Sequence, residues 1–304
     1  MVIVLHRVLV TGANGFIGQA LISKLLENGI SVIAVDLSFK DTSLPDSEFL
    51  TKLETSLEDI HCIAEKFRNV SVDTIYHLAW KGVNGVDKAD PIVQVENIKI
   101  AMKCAMLAEE LNCGRLLCAG TVAENSLDSL NFLEKVPGGM LYAASKISAR
   151  LMLQVFTKSR GISFAWMQFA NIYGPTNKTG NLVSYTIDQL RHGKKAVFGP
   201  AIQAYDFIFI DDLIEAIYRL GKCKLNYIEY YIGSGNPKQL KDYLIAIGET
   251  MNASDSIDIG ARPDDGIKYS WEMFDINNMV HDIGVYAKTS FHDGIKLTID
   301  NYSE

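Results

Sequence analysis

The chain has no block of five or more basic residues, and with 29 Lys and Arg against 36 Asp and Glu its formal charge is -7. A polyanionic partner needs a dense cationic face, so nucleic acid and anionic membrane surfaces are excluded as main partners. Any anionic ligand requires a local basic site. Cysteine is scarce and scattered: Cys62, Cys104, Cys113, Cys118 and Cys223 are odd in number and show no C-x-x-C spacing. That pattern excludes a structural zinc site and a disulfide framework, and it fits a protein of the reducing cytoplasm. No apolar run approaches the ~18 residues of a membrane span. The first ten residues carry neither a charged leader nor a small-residue cleavage site, so Val8-Leu9-Val10 is expected to be a first strand and not a signal peptide. Repeats, low-complexity tracts and Pro/Gly-rich linkers are missing as well, which argues against independent tethered domains.

What is present is an ordinary globular composition, 304 residues with 48% hydrophobic and 21% charged, enough for a large core. Short apolar runs at Val8–Val10, Val32–Val35, Thr74–Leu78, Arg115–Cys118 and Phe164–Phe169 alternate with amphipathic stretches at Phe16–Asn28, Ile92–Leu111 and Tyr142–Ser159. Strand and helix in that rhythm predict a doubly wound parallel α/β sheet of the Rossmann type. A third strand is poorly defined. We expect a dinucleotide-binding part over residues 1–170 and a smaller α/β part for substrate over 171–304, partly interleaved with it.

The turn Thr11-Gly12-Ala13-Asn14-Gly15-Phe16-Ile17-Gly18 joins the first strand to the first helix. Gly12 permits the tight turn, Gly15 lets the backbone approach a pyrophosphate, and Gly18 lets the helix pack close to the sheet, while the helix N-terminus offers N–H groups to the anion. The spacing is G-x-x-G-x-x-G instead of G-x-G-x-x-G. Asp36, at the end of the second strand, suits the adenosine ribose hydroxyls and repels a 2′-phosphate, which favours NAD over NADP even with Lys40 nearby. Farther along, Tyr142 and Lys146 stand four residues apart on a predicted helix and share one face. An ammonium beside a phenol favours the ionised form, so the Tyr142 pKa is expected to fall from its usual ~10 and to allow proton transfer near neutral pH.

These motifs occur in one order with several others. The chain resembles the extended short-chain dehydrogenase/reductases, within them the nucleotide-sugar epimerase, dehydratase and reductase group. The resemblance spans nearly the whole length. It rests on the glycine turn, Ile75-Tyr76-His77-Leu78-Ala79, Asn97, Tyr142 with Lys146, Asn171-Ile172-Tyr173-Gly174-Pro175, Asp206-Phe207-Ile208-Phe209-Ile210-Asp211-Asp212 and Arg262-Pro263-Asp264-Asp265.

The resemblance implies hydride transfer between a sugar carbon and nicotinamide. Tyr142 would exchange the hydroxyl proton, Thr121 would orient the oxygen, and Lys146 would stabilise the tyrosinate and reach the nicotinamide ribose. Cofactor contacts would come from Gly12, Asn14, Gly15, Phe16, Ile17, Gly18, Asp36, Leu78 and Ala79, with Glu54 near adenine and Trp80 and Lys81 facing the cofactor side. Asn171 and Asn181 would bind the sugar or diphosphate, and Arg262 the diphosphate. Dehydratases of this group carry Asp-Glu after the active Thr. Here Val122 and Ala123 stand there and cannot transfer protons, so dehydration is disfavoured, and Glu124 becomes a candidate substrate contact. A second family arginine is replaced by Tyr205, a candidate substrate residue without charge. His77 is expected to be a hydrogen-bonded core residue. The helices 92–111 and 142–159 resemble a family dimer interface, so a homodimer is expected. The leading expectation is an NAD-dependent nucleotide-sugar epimerase acting at C4. The alternatives are a keto-sugar reductase or dehydrogenase on the same site, and a non-catalytic NAD-binding regulator, which has no need to keep Thr121, Tyr142 and Lys146 together.

Overall fold

The computed structural model describes residues 3–177 and 180–302. In the first half, strands β1 (Arg7–Thr11), β2 (Ser31–Asp36), β3 (Leu50–Glu54), β4 (Thr74–His77), β5 (Arg115–Thr121) and β6 (Ser163–Phe169) alternate with helices α1 (Phe16–Glu27), α2 (Ile60–Phe67), α3 (Pro91–Glu110) and α4 (Met140–Arg160). The five apolar runs and three amphipathic stretches all lie on these elements. β3 is the outermost strand and is nowhere fully buried, which is why its apolar signal is faint.

Local chemistry sets the ends of the two helices nearest the centre of the fold. α3 begins on Pro91, and the Asp90 carboxylate caps it by accepting from the N–H groups of Ile92 (2.8 Å) and Val93 (3.1 Å). α4 stops at Gly161, whose φ of +67° is the left-handed stop that a residue without Cβ adopts freely.

The second half contributes strands β7 (Asn171–Tyr173), β8 (Ala196–Phe198), β9 (Ala204–Tyr205), β10 (Phe207–Phe209), β11 (Glu229–Ile232), β12 (Lys238–Gln239) and β13 (Ile257–Ile259). Its helices are α5 (Leu182–Arg191), α6 (Ile210–Lys222), α7 (Leu240–Thr250), α8 (Asn277–Ile283) and α9 (Phe291–Asp300). β11 leaves its neighbours in sequence and pairs in parallel with β6, completing a seven-stranded sheet of order β11-β6-β5-β4-β1-β2-β3. The other small strands pair as β7 with β10, β8 with β13 and β9 with β12.

All seven strands of the main sheet run parallel. Apolar cores lie on both faces, one shared with α1, α6 and the second half, the other with α2, α3 and α4. The strand order reverses between β1 and β4. A crevice therefore opens beyond their carboxyl ends, with Thr11 in register with Val35 on one side and His77 on the other. Among the described residues no helix is long and apolar enough to cross a membrane.

Candidate active site

The crevice is a cavity of about 800 Å³ whose walls include Gly12, Asn14, Gly15, Asp36, Leu78 and Ala79. Gly12 has φ +67°, and a Cβ there would lie 2.7 Å from the Ala79 nitrogen, so the turn and the chain after β4 meet backbone to backbone. No side chain caps the N-terminus of α1 and no acid lies in its first turn, which leaves its N–H groups to an anion. Phe16 and Ile17, also expected at the cofactor, pack their side chains on the core and are not among the residues that wall the crevice.

Asp36 accepts from the Asn14 N–H (2.8 Å) and the Leu37 N–H (2.7 Å), and each of its oxygens keeps a lone pair for a hydroxyl. The Asn14 amide nitrogen donates to the carbonyls of Ser38 (3.0 Å) and Lys40 (3.3 Å), while its buried Oδ1 has no partner among the described residues. A glycine cradle, uncapped helix N–H groups, a ribose-height carboxylate and an orphaned acceptor fit a dinucleotide. Glu54 is a correction: its carboxylate accepts from the Phe39 N–H (2.7 Å) and braces the loop after β2. The cavity wall beside Asp36 is made instead by Thr55, Ser56, Leu57 and Glu58.

Thr121, Tyr142 and Lys146 converge at the other end. Thr121 ends β5 and its hydroxyl contacts the Tyr142 phenol. The Lys146 Nζ donates to the Ala119 carbonyl at 2.7 Å, lies 5.8 Å from the centre of the Tyr142 ring, and sits 3.7 Å from the centre of the Trp80 ring. The expectation of a depressed phenol pKa is overturned. Burial pushes Tyr142 up, only partly offset by its contact with Thr121, and burial also pulls Lys146 down to about 7 against the attraction of Glu124. Desolvation outweighs the pairwise attraction because both side chains are under 10% exposed.

His77 is the core residue expected. Its Nδ1 lies 2.8 Å from the Thr11 Oγ1, and burial lowers its pKa to about 3, so the ring is neutral. Glu124, in contrast, is not a substrate contact. Its carboxylate is sunk behind β5, where it accepts from the Thr121 N–H (2.8 Å), the Trp166 Nε1 (3.0 Å) and the Gln168 Nε2 (3.0 Å). Asn181 is also corrected. Its Oδ1 caps α5 through the Ser184 N–H (2.9 Å) and its Nδ2 donates to the Ile172 carbonyl (2.9 Å), so both ends of the amide hold the fold.

Of the remaining candidates from the second half, Tyr205 and Arg262 line a separate hollow of about 380 Å³ together with Gln203 and Tyr269 among others. Tyr205 donates to the Asn171 Oδ1 (3.2 Å), joining two of the expected residues. Arg262 is exposed and reaches the Tyr185 hydroxyl (3.2 Å). It forms no ion pair with Asp264 or Asp265, whose carboxylates accept instead from the N–H groups of Gly266 and Ile267, each at 3.0 Å.

Two residues of the site are absent from the motif reading. Gln94 on α3 is 2% exposed, and its Oε1 accepts from the Trp80 Nε1 (3.0 Å) and the Ser145 hydroxyl (3.0 Å). Its Nε2 donates to the carbonyls of Gly82 (3.1 Å) and Asp87 (3.0 Å), so one amide ties the loop after β4 to the helix of Tyr142. Lys88 places its Nζ 5.3 Å from the centre of the Tyr142 ring, and burial lowers its pKa. The i, i+3 spacing of Gln94 with Asn97 on one helix is the only sequence signal for the first. Nothing in the sequence marks the second.

Comparison with known proteins agrees with this geometry. The family model described as "NAD dependent epimerase/dehydratase family" matches residues 8–233. A CDP-abequose synthase of Salmonella typhimurium is 27% identical over 253 residues, covering 80% of each chain. A UDP-glucose 4-epimerase of Mycolicibacterium smegmatis is 24% identical over 82% of this chain and 84% of its own. Among solved structures, a UDP-N-acetylglucosamine 4-epimerase from Methanobrevibacter ruminantium superposes with a TM-score of 0.81 over 98% of both chains at 21% identity. The matched segment runs from β1 to just past β11, so it takes in the whole parallel sheet, the glycine turn and the Tyr142 cluster. On that match this chain belongs to the NAD dependent epimerase/dehydratase family.

Proposed function

We propose that the protein is an NAD-dependent epimerase of a nucleoside-diphosphate sugar, working by transient oxidation at sugar C4. The observation that carries this reading is the convergence of Thr121, Tyr142 and Lys146 at one end of a dinucleotide-shaped crevice, next to Val122 and Ala123, which cannot serve as the acid and base of water elimination. NAD, when bound, supplies the hydride acceptor and donor. The chain's own residues position and protonate. The Thr121 hydroxyl aligns the sugar oxygen with the Tyr142 phenol, which exchanges the proton, and the Lys146 ammonium offsets the charge left on the phenol. Asp36 would engage the adenosine ribose and select NAD over NADP.

Residues 1–170 would then hold the cofactor and 171–304 the nucleotide. Arg262 is the cation available to a diphosphate beside Tyr205 and Asn171. Tyr205, in the place of a second arginine, leaves the diphosphate with one guanidinium. A homodimer is part of the same reading, because α3 and α4 pack together and expose Val95, Met106, Leu151, Met152 and Val155 on their outer sides. The test is turnover of a panel of nucleotide sugars deuterated at C4, followed by mass spectrometry with NAD assayed in the purified protein. A 4-epimer with catalytic NAD supports the reading. Stoichiometric cofactor consumption points to a reductase and overturns it.

A further inference from the structure

Glu124 is the most deeply buried carboxylate near the Tyr142 cluster, 2% exposed, and the proposed chemistry gives it no task. Its protonation state follows from its neighbours. Every contact of its oxygens is with a donor: the Thr121 N–H, the Trp166 Nε1 that lies 3.0 and 3.1 Å from the two oxygens, and the Gln168 Nε2. A protonated carboxyl needs an acceptor, and none of these is one. Burial pushes the Glu124 pKa up while these donors pull it back, so the ionised form that they favour depends on a counter-charge.

Lys146 is one of two cations placed to supply it. Its Nζ bonds the Ala119 carbonyl and Glu124 bonds the Thr121 N–H, so the two flank Gly120 on β5. Gly120 is glycine for this reason: a Cβ there would lie 2.9 Å from the Glu124 Oε1 and closer still to the Trp166 Nε1. The Trp166 ring centre is 5.7 Å from the Lys146 Nζ, so one indole borders both groups.

Two other titratable neighbours carry no charge. His77 on β4 is neutral, and burial pushes the Cys118 thiol on β5 up, so it too is neutral. Arg150 also faces Glu124: its Nε lies 4.0 Å from the Glu124 Oε2 with no hydrogen-bond partner among the described residues, while its Nη1 pairs with Glu229, so Glu124 answers two cations.

We propose that Glu124 is a positioning residue, the buried counter-ion that keeps the Lys146 ammonium charged beside Tyr142 while its hydrogen bond to the Thr121 N–H fixes the end of β5. Its own charge opposes ionisation of Tyr142, so whatever it gives the phenol passes through Lys146.

The experiment is a pH titration of the full chain labelled with ¹³C at lysine Cε, with the Lys146 resonance assigned by its loss in Lys146→Met. Glu124→Gln keeps the size and the acceptor but removes the charge, and the Lys146 midpoint is expected to fall by one pH unit or more, a tenfold loss of proton affinity. The reciprocal arm uses ¹³Cδ-glutamate label, in which Lys146→Met must raise the Glu124 midpoint by a similar amount, since linkage is mutual. That arm decides alone if Glu124→Gln does not fold. Midpoints that stay within a few tenths of a unit overturn the inference.

The catalytic consequence rests on the proposed role of Tyr142, but the coupling is measured without turnover. An uncoupled pair defeats this inference and leaves that role standing. A coupled pair in a chain inert toward every nucleotide sugar defeats the role alone.

Discussion

Replacing Gly18 by Ala sets two effects against each other. Alanine favours a helix interior over glycine by ~1 kcal/mol, so on propensity alone α1 should gain. The structure predicts the opposite. A Cβ at Gly18 would lie 2.8 Å from the Ala13 carbonyl oxygen and closer still to that of Gly12, both of them backbone that cannot swing aside. α1 must then move outward, against Leu21, Ile22 and Leu25, which are fully buried on the sheet. Overpacking costs ~1–3 kcal/mol, and two backbone clashes under 3.0 Å put this site in the upper part, ~2–3, or about 1–2 after the propensity gain. For a chain of this size that is a fall of about 1.5–3 °C in thermal midpoint. The same displacement withdraws the α1 N-terminus from its anion, a contribution of ~0.3–1 kcal/mol, so NAD should bind about 2–5-fold more weakly. Thermal denaturation without NAD and a fluorescence titration with NAD measure both. A Gly18→Ala protein as stable as the parent, with unchanged NAD affinity, would refute the close-packing argument.

Two further outcomes follow from the crevice and the core. Asp36→Ala should narrow the preference for NAD over NADP, because it removes the carboxylate that a 2′-phosphate would face; a parent protein that already prefers NADP contradicts the assignment. His77 has a folded pKa near 3, below its ordinary 6.5, so its contribution to stability is present above pH 6.5 and is lost as pH falls toward 3. Between pH 6.5 and pH 5 the loss should be about 2 kcal/mol. Urea denaturation at both pH values, with His77→Gln as reference, should show that difference vanish in the variant.

The features legible in the sequence are those whose partners lie close along the chain. The glycine turn, Asp36 at the end of the next strand and the four-residue spacing of Tyr142 and Lys146 each state their geometry locally. The Rossmann alternation is legible for the same reason, except at β3, where an exposed edge needs little apolar character. What escaped depends on distance or on burial. Glu124 bonds Thr121 through a capping box whose Thr-x-x-Glu spacing is local, but its other partners, Trp166 and Gln168, lie 42 and 44 residues away, and its burial depends on them. Gln94 meets Ser145 across 51 residues. The direction of the Tyr142 pKa is not legible either, because spacing reveals the neighbouring charge but not the loss of water that outweighs it. Asn181 matched a family position, yet its place at the start of α5 commits it to capping.

The central claim is that Tyr142 carries the proton for a reaction at the sugar. Its most direct test compares the parent with Tyr142→Phe, following C4-deuterated nucleotide sugars by mass spectrometry and NMR with bound NAD quantified in both. General acid–base catalysis contributes ~10²–10⁴-fold. The variant should therefore retain NAD and lose at least about 100-fold in turnover, while the parent yields the 4-epimer with deuterium still at C4. Turnover by Tyr142→Phe within a few-fold of the parent would contradict the account.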